Sequence, residues 1–249
     1  MTDHVLVSQA DGVCELRLNR PEKRNAITFA MYDTLWDALV RAEADDSVRA
    51  ILLSGAGASF TAGNDLMDFV SRPLGGGDHG PTRFVRLLPK IHKVLIAAVH
   101  GSTVGFGVTI LLHCDLVVAA RSARLSMPFV KLGLVPEAAS SLLLPRLIGH
   151  QRAAELLLLG VPIDSATAFG YGLVNRVVED DVLLDEARAL ARTVAEQPAG
   201  ALRATKQLLR SESGVSARME EELQAFEERL GSAEFKSAAQ AFFGKGRSG

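Results

Sequence analysis

Ser59-Phe60-Thr61-Ala62-Gly63-Asn64-Asp65-Leu66 and Gly101-Ser102-Thr103-Val104-Gly105-Phe106-Gly107-Val108 are the stretches on which the fold turns. Each follows an apolar run of strand character, residues 50–54 before the first and Val94–Val99 before the second. Each also joins glycine and small residues to the start of a helix. The first N–H groups of a helix lack intrahelical partners and can point at a ligand oxygen. Two such starts converging would form an oxyanion hole. The spacing alone is met equally by two tight turns, which is the plainer reading.

Outward from these loops, strands alternate with helices. Val13–Leu18 alternates apolar and polar residues as a strand with one polar face. Thr28 is a plausible N-cap for a helix over 28–45, with Met31, Leu35, Leu39 and Ala42 at helical spacing. A short helix begins near Asp65. The stretch 73–81, with its prolines and glycines, reads as a mobile loop. The segment 101–107 reads as a glycine-containing turn, followed by a short helix near Val108. Strands are expected at Leu116–Ala120 and 175–178. From Glu137 onward helical patterning dominates, Pro198 separates two helices, and 233–243 carries Phe235, Ala239, Phe242 and Phe243 on one stripe. The pattern is α/β with a helical tail and no internal sequence repeat.

The 249 residues fit one large domain or one domain with a helical annex. With 27 Lys+Arg against 29 Asp+Glu, the formal charge of −2 argues against an electrostatically driven nucleic-acid binder. Two cysteines, Cys14 and Cys114, exclude a disulfide framework and form no C-x-x-C pair. The six histidines include no H-x-x-x-H, so metal binding is not expected. His100 and His113 read as packed or surface histidines, and Glu220-Glu221-Glu222 as a solvated helix face. The start of the chain lacks the pattern of a secretory signal, and no apolar run reaches the ~18 residues of a membrane span. A reducing, cytoplasmic setting is the expectation. Gly105-Phe106-Gly107 matches only the first two glycines of a dinucleotide fingerprint, because the third position is Ile110.

The two loops, in this order and separation, resemble the crotonase superfamily, also called the enoyl-CoA hydratase/isomerase family. Leu18-Asn19-Arg20-Pro21-Glu22-Lys23-Arg24-Asn25-Ala26 resembles its opening N-R-P-x-x-x-N-A motif. Phe60 to Leu66 resembles its first oxyanion loop. Ile96 to Gly101, Gly105-Phe106-Gly107 and Cys114-Asp115 resemble the second. Gly160, Ile163, Ala166, Ala168, Gly172-Leu173-Val174 and Val177 follow its later helix–strand pattern. The resemblance implies a spiral of ββα units over 1–195 that binds acyl-CoA, and a C-terminal helical region over 196–249 that builds a homotrimer or homohexamer. It implies backbone donors at Asn64 and Phe106, each worth about 3 kcal/mol in the transition state. Only the N–H of Phe106 would then matter, so its side chain is expected to be free to vary. Lys23, Arg24, Ala26, Ala62, Gly63, Asp65 and Leu66 are implied to line the CoA site. Coenzyme A arrives as part of the substrate, with no separate cofactor, nucleic acid or membrane as partner. Lys236 and Phe243 are candidates to close the CoA site.

The acid/base groups choose the reaction. The resemblance places the two glutamates of a hydratase at Thr109 and Phe129, and both carboxylates are absent. Glu137, in Pro136-Glu137-Ala138-Ala139-Ser140-Ser141, instead matches the Δ3,Δ2-enoyl-CoA isomerase branch with its single glutamate. One carboxylate suffices for a 1,3-proton shift through a dienolate. Apolar neighbours are expected to raise its pKa. Read without the resemblance, Pro-Glu before an Ala/Ser/Leu run is an ordinary acidic helix start. The expected function is therefore an isomerase of unsaturated fatty acyl-CoA in β-oxidation. The alternatives are a hydratase with an atypical acid set and a non-catalytic acyl-CoA-binding family member.

Overall fold

The structure, a computed structural model, describes residues 4–71, 79–210 and 214–245. Two sheets organise it. The larger has the order β1-β2-β3-β5-β7-β10, built from β1 (Val5–Ala10), β2 (Val13–Leu18), β3 (Ala50–Gly55), β5 (Val94–Val99), β7 (Leu116–Ala120) and β10 (Arg176–Val178). Only the β1–β2 pair is antiparallel. The smaller has the order β4-β6-β8-β9, from β4 (Ser59–Thr61), β6 (Ser102–Val104), β8 (Arg124–Ser126) and β9 (Ile163–Asp164). The helices are α1 (Phe29–Ala44), α2 (Leu66–Ser71), α3 (Gly80–Leu87), α4 (Phe106–Thr109), α5 (Ser140–Ile148), α6 (His150–Ala154), α7 (Ser165–Gly170), α8 (Leu183–Ala195), α9 (Ala199–Leu209), α10 (Val215–Leu230) and α11 (Ala233–Lys245).

Three consecutive stretches repeat one course: a long strand, a corner, a short strand in the other sheet, then a helix. They are β3–β4–α2, β5–β6–α4 and β7–β8–α5. Equivalent strands pair in parallel, β3 with β5 and β5 with β7 in one sheet, β4 with β6 and β6 with β8 in the other. The chain is thus a spiral of ββα turns. The central strands β3, β5 and β7 are almost wholly apolar because both sheet faces are buried there. Ile51 and Leu53 of β3 join the main core under α1, whereas Ala50 and Leu52 pack beneath Leu183, Ala187, Ala191 and Val194 of α8. The corners are tight. At Gly101 φ is +52°, and a Cβ there would lie 1.9 Å from the Ala58 carbonyl oxygen, so only glycine fits.

Thr28 caps α1, its side chain accepting from the Met31 N–H at 3.3 Å. Several local expectations are corrected. Gly80 and Pro81, assigned to a loop, open α3, where proline suits the first turn. The rest of the expected 73–81 loop, through residue 78, lies outside the described residues. The turn expected over 101–107 contains β6, and β1, β4, β8 and β9 were not anticipated. Those small-sheet strands are two or three residues long, too short for a period of two to register. The C-terminal helices share the main core: Val215, Met219, Leu223 and Phe226 of α10 and Phe235 and Ala239 of α11 are buried in it. Side chains beyond residue 241, including Phe242 and Phe243, lie outside the described set.

Candidate active site

The N-terminal motif is a cradle for the first loop. Arg24 and Asn25 both have positive φ, and Asn25 is fully buried. The Asn25 carboxamide donates to the carbonyls of Ala56 and Ser59 at 2.8 Å each and accepts from the Arg20 N–H at 2.8 Å. The Thr61 hydroxyl donates to the Asn25 carbonyl and accepts from the Gly63 N–H. Arg20 pairs with Asp65 at 2.5 Å and donates to the Ala26 carbonyl. The Ile27 N–H reaches the Gly63 carbonyl, and the Asp65 N–H reaches the Ile27 carbonyl, which straddles Asn64. The Asn64 N–H has no acceptor among the described residues. Its side chain is turned aside, because Oδ1 accepts from the buried Tyr32 hydroxyl at 2.5 Å.

The second loop presents Phe106 in the same way. Gly105 has φ +55°, and its N–H is taken by the Ser126 carbonyl. Phe106, the first residue of α4, leaves its N–H without an acceptor among the described residues. The two loops touch. A Cβ on Gly63, at φ +86°, would lie 2.7 Å from the Val104 carbonyl oxygen and 3.7 Å from the Phe106 nitrogen. Glycine at 63 is what lets the loop carrying the Asn64 N–H pack against the loop carrying the Phe106 N–H. The expected freedom of the Phe106 side chain is corrected: its ring packs edge-on against Tyr32 and Phe84, with centroids 5.3 and 5.9 Å away.

The loops open onto a cleft of about 910 Å³. Lys23, Arg24, Ala26, Ala62, Gly63, Asn64, Asp65, Leu66 and Phe106 all line it, so the structure gathers the residues singled out for a ligand into one place. Lys131, Phe129 and Phe226 also face it, and of these the sequence signalled only Phe129. Lys236 is exposed and does not line it. Behind Asn64 and Phe226 lies an inner cavity of about 20 Å³, walled by Tyr32, Phe69, Pro81, Thr82, Val85, Leu223 and Glu137.

Glu137 is 5% exposed and is not part of a helix start, because α5 begins at Ser140. Between them Ala138 and Ala139 both adopt left-handed backbone, φ +59° and +56°, a costly turn for residues with a Cβ. The acid that does cap α5 is Glu222 of α10, which accepts from the Ser141 N–H at 2.8 Å. Glu222 is therefore buried rather than part of a solvated face, whereas Glu220 in the same run pairs with Arg86. Glu137 hydrogen-bonds the Thr109 hydroxyl of α4. Burial pushes its pKa up to about 8, with Glu222 adding a smaller upward push and the Thr109 bond opposing it. A neutral Glu137 would donate to Thr109, which also lies 3.3 Å from the Phe106 carbonyl; an ionised one would accept from it. Burial likewise raises the Tyr32 phenol, which stays neutral. Glu137 is the only carboxylate lining the inner cavity among the described residues. No group of three or more His, Cys, Asp or Glu there could hold a metal ion, and no helix is long and apolar enough to cross a membrane.

Residues 8–248 match the family model for enoyl-CoA hydratase/isomerase. The chain belongs to the enoyl-CoA hydratase/isomerase family. Like other crotonases it is an enzyme of CoA-thioester isomerase or hydratase type. It is 39% identical over 254 residues to 1,2-epoxyphenylacetyl-CoA isomerase of Escherichia coli K12, covering 98% of this chain and 97% of that one. It is 36% identical over 213 residues to enoyl-CoA delta isomerase 2 of Rattus norvegicus, covering 83% of this chain and 54% of that longer protein. Among solved structures, an enoyl-CoA hydratase/isomerase from Pseudoalteromonas atlantica T6c superposes with a TM-score of 0.93 at 43% identity, covering 97% of each chain. The spiral and its C-terminal helices are thus the crotonase fold.

Proposed function

We propose that this enzyme is a Δ3,Δ2-enoyl-CoA isomerase. The observation that carries the reading is Glu137: a single buried carboxylate in the inner cavity, beside Asn64 and bonded to the helix that begins at Phe106. Lys23 and Arg24 flank the cleft mouth for the phosphates, while Ala26, Ala62, Gly63, Asp65 and Leu66 frame the pantetheine and adenine. The thioester oxygen accepts from the N–H groups of Asn64 and Phe106, which stabilise it as negative charge develops. Ionised Glu137 removes a proton from C2 of a 3-enoyl thioester. The dienolate forms, and the same carboxyl group returns the proton at C4. The double bond ends between C2 and C3, and the proton balance closes without a separate cofactor. The absence of carboxylates at Thr109 and Phe129 supports proton shuttling over water addition, which needs two acid/base groups.

A pKa of about 8 leaves roughly a tenth of Glu137 ionised at pH 7 and suits a group that must both take and return a proton. The exposed apolar residues Leu147, Leu158, Leu159 and Phe169 support assembly into a homotrimer or a larger homo-oligomer. A second reading has its own support. The full-length similarity to 1,2-epoxyphenylacetyl-CoA isomerase, together with Tyr32 and Thr82 on the cavity wall, favours an oxygen-bearing acyl group.

The purified protein is incubated separately with a trans-3-enoyl-CoA, a trans-2-enoyl-CoA and an aryl epoxide acyl-CoA, and products are followed by chromatography and mass. Conversion of the 3-enoyl to the 2-enoyl ester at unchanged mass is expected, lost in Glu137→Gln with CoA binding retained. Gain of water on the 2-enoyl ester, or full activity in Glu137→Gln, overturns the reading. Turnover of the epoxide alone selects the second.

A further inference from the structure

Two of the contacts that hold the turn carrying Glu137 come from one short helical stretch. Thr109 and His113 lie four residues apart, a helical turn, on α4 and its single-turn 3-10 continuation, Ile110–His113. Thr109 bonds the Glu137 carboxyl group, and the His113 Nε2–H donates to the Ala138 carbonyl at 2.8 Å. The grips fall on Glu137 and Ala138, where the chain enters the left-handed pair Ala138–Ala139. The same stretch begins with the free N–H of Phe106. Base and oxyanion donor are thereby tied to one rigid piece.

We propose that His113 is a positioning residue, fixing the Glu137 turn to the helix that supplies the Phe106 donor and so setting the distance between base and oxyanion site. The proposal rests on the reading of Glu137 as the acid/base. His113 is buried at the end of the stretch, and its own carbonyl accepts from Arg210. Burial first, then Arg210 and Lys206, hold its pKa down to about 4, against the upward pull of its Ala138 bond. It therefore stays neutral wherever Glu137 titrates, and because its partner is a carbonyl oxygen, Nε2 carries the proton. The grip does not switch with pH across the working range.

The test compares His113→Leu, which fills the space without a donor, with His113→Gln, whose amide reaches as Nε2 does. Two quantities are read. One is kcat and KM for the 3-enoyl-CoA. The other is the ionisation midpoint of Glu137, taken from the pH dependence of the stability difference between each protein and its Glu137→Gln counterpart, which needs no turnover. Expected in His113→Leu are a kcat lower by about tenfold or more, a KM within about twofold, and a Glu137 midpoint lower by about one pH unit or more as water reaches the slackened turn. His113→Gln recovers both. Unchanged kcat and midpoint in His113→Leu, or a loss that His113→Gln does not repair, overturns the proposal. If the wild type moves no double bond but the midpoint falls in His113→Leu and returns in His113→Gln, the isomerase reading fails and the positioning role stands. If His113→Leu does not fold, His113→Asn, too short to reach Ala138, is read by the same criteria.

Discussion

Replacing Glu137 by glutamine removes a charge that the fold resists. The carboxyl is pushed from an ordinary 4.5 up to about 8, chiefly by burial. Its folded pKa lies above its unfolded value, so the native state binds the proton more tightly. Stability is then highest below pH 4.5 and falls as pH rises toward 8. The cost of the charged form, at 1.36 kcal/mol per pH unit, is about 1 kcal/mol at pH 5, about 3 kcal/mol at pH 7 and about 5 kcal/mol once pH passes 8. Glutamine keeps a neutral partner for Thr109 and carries none of this cost. Glu137→Gln is thus expected to be more stable than wild type by a margin that widens with pH while turnover is lost. Glu222, the other buried carboxylate nearby, is present in both proteins. Urea unfolding of the two proteins at equal concentration from pH 5 to 9 measures the margin. A difference that stays flat with pH, or a mutant less stable at pH 8 than wild type, would refute a buried, proton-holding Glu137.

The same pKa sets the rate profile: kcat/KM is expected to rise about tenfold per pH unit below 8 and to level above it, because the base must be ionised, as steady-state assays across pH 6–9 would record. Gly63→Ala places a Cβ 2.7 Å from the Val104 oxygen at φ +86°, so activity is expected to fall by about a hundredfold with about 1–3 kcal/mol of destabilisation, read by kinetics and urea unfolding. Ala138→Gly relieves left-handed strain at φ +59°, so its stability is expected to match wild type within about 1 kcal/mol or exceed it, unlike most Ala→Gly changes, with a lower kcat from the looser turn. Lys206 pairs with Asp115 at 2.7 Å in a buried setting, and Lys206→Met is expected to cost about 3 kcal/mol by leaving that carboxylate with Arg210 alone among the cations, measured by urea unfolding.

The central strands β3, β5 and β7 were legible in the sequence because burial on both faces makes them apolar runs, and α1 because Thr28 and the spacing of Met31, Leu35 and Leu39 mark it. The short strands of the second sheet were not, since their pairing is set by the corners that precede them rather than by their own residues. The cleft residues were legible through the N-terminal and loop motifs. The packing of Phe106 was hidden because its partners, Tyr32 and Phe84, come from distant helices. Glu222 was misread because one acid in a run of three points inward, and only the α5 start it caps distinguishes it. The sequence left open whether His113 is packed or at the surface; it is packed, and its partner, the Ala138 carbonyl, lies on a turn whose shape no side chain announces.

Each turn of the spiral carries part of the proposed site between its short strand and the end of its helix: Asn64 in the first, Phe106 and Thr109 in the second, Glu137 in the third. The two proposed donors are main-chain groups and survive any change of side chain that leaves their loops intact, whereas the proposed acid is a side chain on a separate winding. Chemistry on such a scaffold is modular. A carboxylate gained on one winding and lost from another changes what is done to the acyl chain without disturbing how the thioester is held, so new reactions are reachable by single exchanges on an inherited grip.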